Sequence, residues 1–209
     1  MMKKINLKTL IITCFVLLAP ILLGVAMYDK LPDMMAIHFD INNNPDNFAP
    51  KAFAVFGLPL ILLGFQIFTC VVVDIAGAKN DKEDKFARIG KWVIPAISLV
   101  IYPATIFFSL GNDLDIRRIA VLIVGILFIV MGNYMPKAKH IQVMGKMREV
   151  SGDRARKFLR ISGYITFIYG LLFLATLFFP PVASVIVLLL FIPYTIVAVV
   201  FGIKITKDK

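Results

Sequence analysis

The sequence predicts an all-α polytopic membrane protein with six transmembrane helices and both termini cytoplasmic. Two observations carry that expectation, one of hydrophobicity and one of charge. The 209 residues are 59% hydrophobic and 17% charged, with a mean hydropathy of +0.85, whereas a soluble domain is about half apolar and about a quarter charged. The apolar residues come in blocks, without the alternation of a strand or the stripe of an amphipathic helix. Runs of roughly 18 residues cross a hydrocarbon core of about 30 Å. Backbone polar groups in lipid must be paired internally, and these runs are too long and too little alternating for barrel strands, so each is a helix.

Six runs qualify, at about 8–28, 52–77, 92–111, 119–135, 161–180 and 182–203, within one transmembrane domain over 1–209. The first has an apolar stretch of about 19 residues, longer than the 7–15 of a cleaved leader, and reads as an anchor. Prolines 20, 59, 95, 103 and 193 fall inside spans, where neighbouring helices satisfy the carbonyls they free. Pro180 and Pro181 force a tight turn between the last two spans. Cys14 and Cys70, each inside a span and without metal-ligand spacing, read as small core residues. Asp74 is the one acidic residue within the spans. It lies a turn from the expected interface, near Lys79, and is expected to be paired or solvated with no transport role.

Charge sets the orientation. Nineteen of the 23 cations fall in alternate segments: before the first span, after the second, between the fourth and fifth, and at the C-terminus. The other loops share four. The positive-inside rule makes the cation-rich segments cytoplasmic. The net charge of +10 is thus a topology signal with attraction to anionic lipid at the cytoplasmic face. Spread over several loops, it is not a nucleic-acid footprint. No HExxH, GxSxG or P-loop is present, and neither a catalytic residue, a cofactor nor a metal is expected.

The segment 29–51 becomes an extracellular loop, and it holds a cluster of chemistry: His38, Asp40, Asp46, Lys51 and three consecutive asparagines. Two readings stay open. The polar side chains stabilise a turn, or His38, Asp40 and Asp46 form a face for an extracellular ligand, a peptide or a metal ion, although no metal-ligand spacing is present. The length favours a folded cap, with Met34, Met35, Ile37, Phe39 and Phe48 packed onto the helix ends and His38 beside Asp40 or Asp46.

That loop resembles a short N-terminal domain of unknown function common in bacterial membrane proteins. The resemblance rests on Leu31-Pro32, Ile37-His38-Phe39, Pro45-Asp46 and Lys51, with Asn44 where glycine is usual. Asparagine tolerates left-handed backbone geometry, so the turn survives the exchange. A second stretch, Gly132-Asn133-Tyr134-Met135-Pro136-Lys137 with Lys139, Gly145 and Gly163, is similar to the signature of the SdpI family. It departs from the family at Ile141 and Met147. Read physically, Pro136 ends span four and Lys137 anchors headgroups, and "RARKFLR" suits a helix emerging along the inner surface.

The resemblance implies a non-enzymatic protein of the bacterial cytoplasmic membrane that gives immunity to, or senses, a membrane-active peptide toxin. The implied partners are an extracellular peptide ligand and a cytoplasmic regulator. A small-molecule permease and a membrane scaffold remain the alternatives.

Overall fold

The computed structural model describes residues 5–77, 85–138, 140–143, 146–149 and 152–207. Six helical segments are long and apolar enough to cross a membrane: Leu7–Lys30, Phe53–Ile75, Lys85–Ser109, Ile116–Lys137, Asp153–Phe178 and Val182–Gly202. They match the six expected spans in order, and the protein is a multi-pass membrane protein. The fifth begins about eight residues early. "RARKFLR" is not a separate surface helix but the opening turns of α7 (Asp153–Ala175), which starts after Gly152 at φ 86° and meets no breaker before the span. Ala155 and Leu159 turn inward there, and the Phe158 ring lies 5.6 Å from that of Phe201.

Proline shapes the first two spans. Pro20 cannot donate into the helix, so the chain forms α1 (Leu7–Leu18) and then α2 (Ile21–Met27). Asn6 caps α1 by accepting the Thr9 amide at 3.1 Å. A short 3₁₀ turn over Tyr28–Lys30 leads to two strands where an irregular loop was expected, β1 (Met34–Phe39) and β2 (Pro45–Pro50). They pair antiparallel, Met34 opposite Pro50 and Ala36 opposite Phe48, with the register shifting on either side of His38. A π-turn over Phe53–Gly57 opens span two and passes into α3 (Leu58–Gly77). Next come α4 (Lys85–Gly90), α5 (Val93–Ser109) and α6 (Ile116–Tyr134), which closes in a 3₁₀ turn over Met135–Lys137. A second small hairpin, β3 (His140–Val143) with β4 (Lys146–Glu149), precedes α7, and α8 (Val182–Lys207) ends the chain.

The helices fall into two compact units. One comprises Ile5–Val72 and Lys91–Ile123. Its core is Leu31, Met35, Ala54, Val55 and Ile106. Helix α5 repairs both proline breaks in this unit. The Ser98 hydroxyl donates to the Leu17 carbonyl at 2.9 Å, beside the α1–α2 break. The Tyr102 hydroxyl donates to the Val55 carbonyl at 3.2 Å. Val55 lies four residues before Pro59, whose missing N–H would otherwise have served that oxygen. Gly24 makes room for the tyrosine: a Cβ there would lie 3.1 Å from Tyr102 Cζ and 3.0 Å from Val55 Cγ1. A buried polar node sits further along. The Gln66 amide donates to Cys70 Sγ at 3.2 Å and to the Lys91 carbonyl at 2.9 Å, and the Thr13 hydroxyl is 3.7 Å from the same sulfur.

The other unit takes in Val73–Gly90 and Val124–Lys209. Here α6 and α7 approach through four glycines, each pair seven residues apart on its own helix: Gly125 and Gly132, Gly163 and Gly170. A Cβ on Gly132 would come 2.5 Å from the Phe167 amide nitrogen, and one on Gly170 would come 2.7 Å from that of Ile129. Close backbone approach through small residues is how membrane helices gain packing where no hydrophobic drive exists between them. Aromatic rings fill in beyond the glycines, Phe128 stacking on Phe191 at 4.6 Å and Tyr169 meeting Phe191 edge-on at 5.0 Å.

Candidate functional site

The segment with the densest polar chemistry is the β1–β2 hairpin. Its turn is held from within. The Asp40 carboxylate accepts the Asn44 amide at 2.7 Å and the Asn42 amide at 2.9 Å, and Asn44 Nδ2 donates to its second oxygen at 3.1 Å. The Asn44 backbone and side-chain bonds, with Asn42 behind them, hold the Asp40 carboxyl below the usual carboxylate range. Two backbone bonds close the turn, Asn43 to the Asp40 carbonyl at 3.0 Å and Asp40 to the Asn44 carbonyl at 2.8 Å. The residue in the left-handed region is Asn43, at φ 68°. This corrects the expectation for Asn44, which instead spends its side chain on Asp40.

With Asp40 occupied, His38 takes Asp46 as its partner, Nδ1 to Oδ1 at 2.5 Å across the hairpin. The expectation that one of the two aspartates would hold His38 resolves to Asp46. The pair is open to solvent, its side chains 67% and 45% exposed. Lys51 stands at the far end of the hairpin. Its ammonium is 3.1 Å from the Asp33 carboxylate and 5.2 Å from the centre of the Tyr28 ring, while its backbone amide donates to the Asp33 carbonyl at 2.8 Å.

The hairpin is anchored to its own unit. Leu31 and Met35 are buried in the core, and the Phe39 ring meets Phe108 of α5 edge-on at 4.8 Å. The Asn43 side chain reaches further, donating to the Leu114 carbonyl at 3.1 Å and accepting the Arg117 amide at 3.2 Å. Packing of the five apolar residues is partial. Met35 is buried and Ile37 and Phe39 are half-buried, but Met34 and Phe48 remain about half exposed. Strand pairing places Phe48 opposite Ala36, two residues from Met34, so the three share one side, where Met34 and Phe48 are exposed over the buried Ala36. The buried Met35 and Ala49 share the other. Pro32 is exposed, and Pro45 opens β2 where its missing N–H costs no ladder bond.

The second group of residues lies in the other unit. Gly132 and Gly163 are packing positions, and Pro136 rests on Gly163, its Cδ 2.7 Å from where a Cβ would stand. Asn133 is exposed. Lys137 lies over the Tyr134 ring at 4.4 Å, a cation–π contact. Gly145 and Lys79 lie outside the described residues. Asp74 is half-buried in α3 and has a partner. Among the described residues, no three His, Cys, Asp or Glu side chains gather as metal ligands. The sequence reading missed Asn43, Ser98 and Tyr102; for Tyr102 the signal was available in Pro59 and the carbonyl four residues before it.

Comparison with known proteins finds two likenesses. Residues 15–63, which include the whole hairpin, match the family described as a domain of unknown function, DUF1648. The immunity protein SdpI of Bacillus subtilis (strain 168) is 28% identical over 144 residues, covering 69% of this chain and 65% of that protein. The match therefore spans slightly less than two thirds of the relative's length. No solved structure matches. With six membrane-spanning helices, the chain is an integral membrane protein whose N-terminal part matches DUF1648 and which is similar to SdpI.

Proposed function

We propose that this protein is a non-enzymatic component of the bacterial cytoplasmic membrane that gives immunity to, or senses, a membrane-active peptide. In this reading both termini are cytoplasmic and the β1–β2 hairpin faces outward as the ligand-contacting surface. The observation that carries it is the build of the hairpin. Its turn is fixed by Asp40, its body is anchored by Met35 and Phe39, and it presents His38, Asp46, Met34 and Phe48 to solvent. A connector needs only a few residues, so a folded surface this elaborate supports recognition. The likeness to an immunity protein supplies the ligand class. The cationic segments contact anionic lipid at the inner face, and the stretch that follows α6 is the natural contact for a cytoplasmic regulator.

Deletion and complementation test the proposal. Cells lacking the gene are exposed to secreted membrane-active peptides, with the intact gene or an Asp46→Ala, Phe48→Ser variant restored. The intact gene should restore tolerance or a transcriptional response, and the variant should not. Equal sensitivity with and without the gene defeats the reading. A small-molecule permease is the second reading. It draws on the buried node of Thr13, Gln66, Cys70 and Lys91, in which Gln66 Oε1 has no hydrogen-bond partner among the described residues. Substrate accumulation lost on Gln66→Leu, with peptide tolerance unchanged, would favour transport.

A further inference from the structure

We propose that the turn of the hairpin, residues 40–44, is a detachable cap on the fourth span, with Asn43 as its latch. The first amides of any helix lack partners within it. At the start of α6 they are shared between two providers. Asp115 accepts the Arg118 amide through its side chain at 2.8 Å, as an ordinary cap does. The Arg117 amide goes instead to Asn43, more than 70 residues earlier in the chain. The same side chain donates to the Leu114 carbonyl. Both ends of one amide group are thus spent on four consecutive residues, Leu114 to Arg117, of another loop.

The turn that carries Asn43 does not depend on α6 for its own shape. Asp40 closes it with its backbone N–H and C=O and with its carboxylate. The turn can leave α6 as a body, with the strand ladder intact, because the hydrogen bonds that join them among the described residues are two neutral bonds of the Asn43 side chain. In the latched state the Arg117 amide and the Leu114 carbonyl are covered by Asn43; in the released state water covers them. Any ligand that binds one state more tightly shifts the balance between them, so occupancy of the hairpin is read by the first turn of span four. The latch is a property of the chain itself and holds whichever ligand the hairpin takes.

Residue-resolved hydrogen exchange on the full chain in lipid nanodiscs tests it without any ligand. In the wild type, the Arg117 amide should exchange as slowly as the hairpin ladder amides, although amides in a helix's first turn ordinarily exchange freely. Asn43→Gly keeps the left-handed backbone and removes the side chain. It should speed exchange at Arg117 by about fivefold or more, as expected for a lost cap, and leave the ladder unchanged. Asn43→Asp keeps the acceptor and should hold Arg117 near the wild-type rate. Free exchange at Arg117 in the wild type overturns the proposal. So does a ladder that loosens together with Arg117 in Asn43→Gly, since Asn43 would then only be shaping its own turn. Because no peptide is present, these outcomes are independent of the tolerance assay.

Discussion

Gly132 and Gly163 meet backbone to backbone: a Cβ on either would lie 2.7 Å from the carbonyl oxygen of the other. Neither backbone can yield without moving a helix. Alanine at Gly163 should therefore separate α6 from α7 and destabilise the fold by about 1–3 kcal/mol, the cost of overpacking. Gly202 serves as the control, since a Cβ there meets only Phe158 carbons at 3.7 Å and beyond. Gly202→Ala should be neutral or slightly stabilising, as alanine is the better helix former. Thermal unfolding in detergent reads both, and equal behaviour of the two variants would contradict the close approach.

Tyr102→Phe should cost about 1–3 kcal/mol by leaving the Val55 carbonyl without a donor in a dry environment. Ser98→Ala should act in the same way at Leu17. The two donors lie one turn apart on α5, so the double variant should depart from the sum if the two sites are coupled. Chemical denaturation of the purified protein measures this. Unchanged stability in Tyr102→Phe would mean the carbonyl finds another partner.

The hairpin should loosen in acid. The folded-state pKa of Asp40 is lowered, so its stabilising effect is fully present above the ordinary aspartate value of about 3.9 and is lost as pH falls through the lower folded value. Exchange protection of the ladder should hold steady down to about pH 4 and decline below it. Asp40→Asn should be less protected at neutral pH and lack the acid decline. A wild-type hairpin indifferent to acid would remove Asp40 from the account.

Orientation is testable by cysteine labelling in a Cys14→Ser, Cys70→Ser background. Asn47→Cys should react with a membrane-impermeant maleimide in intact cells. Lys137→Cys should react only after permeabilisation. The converse pattern would invert the topology. In the same cells, residues 33–50 should resist added protease, as a folded cap does and a mobile tether does not.

The spans were legible because lipid imposes a coarse rule, long apolar blocks, that survives any detail of packing. The hairpin was not legible as strands. Its two-residue period is broken beside His38, where the register shifts, and β2 both begins and ends with proline. Its being folded could be read from length and apolar content, but the choice of Asp46 over Asp40 could not, because it depends on Asn42 and Asn44 engaging Asp40 first. Asn44 was assigned the left-handed geometry by analogy with glycine, and Asn43 has it. Gly132 and Gly163 stood out as motif positions, and their packing role was hidden because it needs both helices at once. The matching seven-residue intervals to Gly125 and Gly170 were the available sign.

The hydroxyls of α5 have a consequence for biosynthesis. Spans one and two leave the ribosome before span three, and each carries a helix interrupted at a proline. Until α5 arrives, the carbonyls of Leu17 and Val55 are without the side-chain donors that the folded protein gives them. Only Ser98 and Tyr102, on the third helix to emerge, close both gaps. The first two spans therefore reach their final hydrogen bonding as members of a triplet completed by α5.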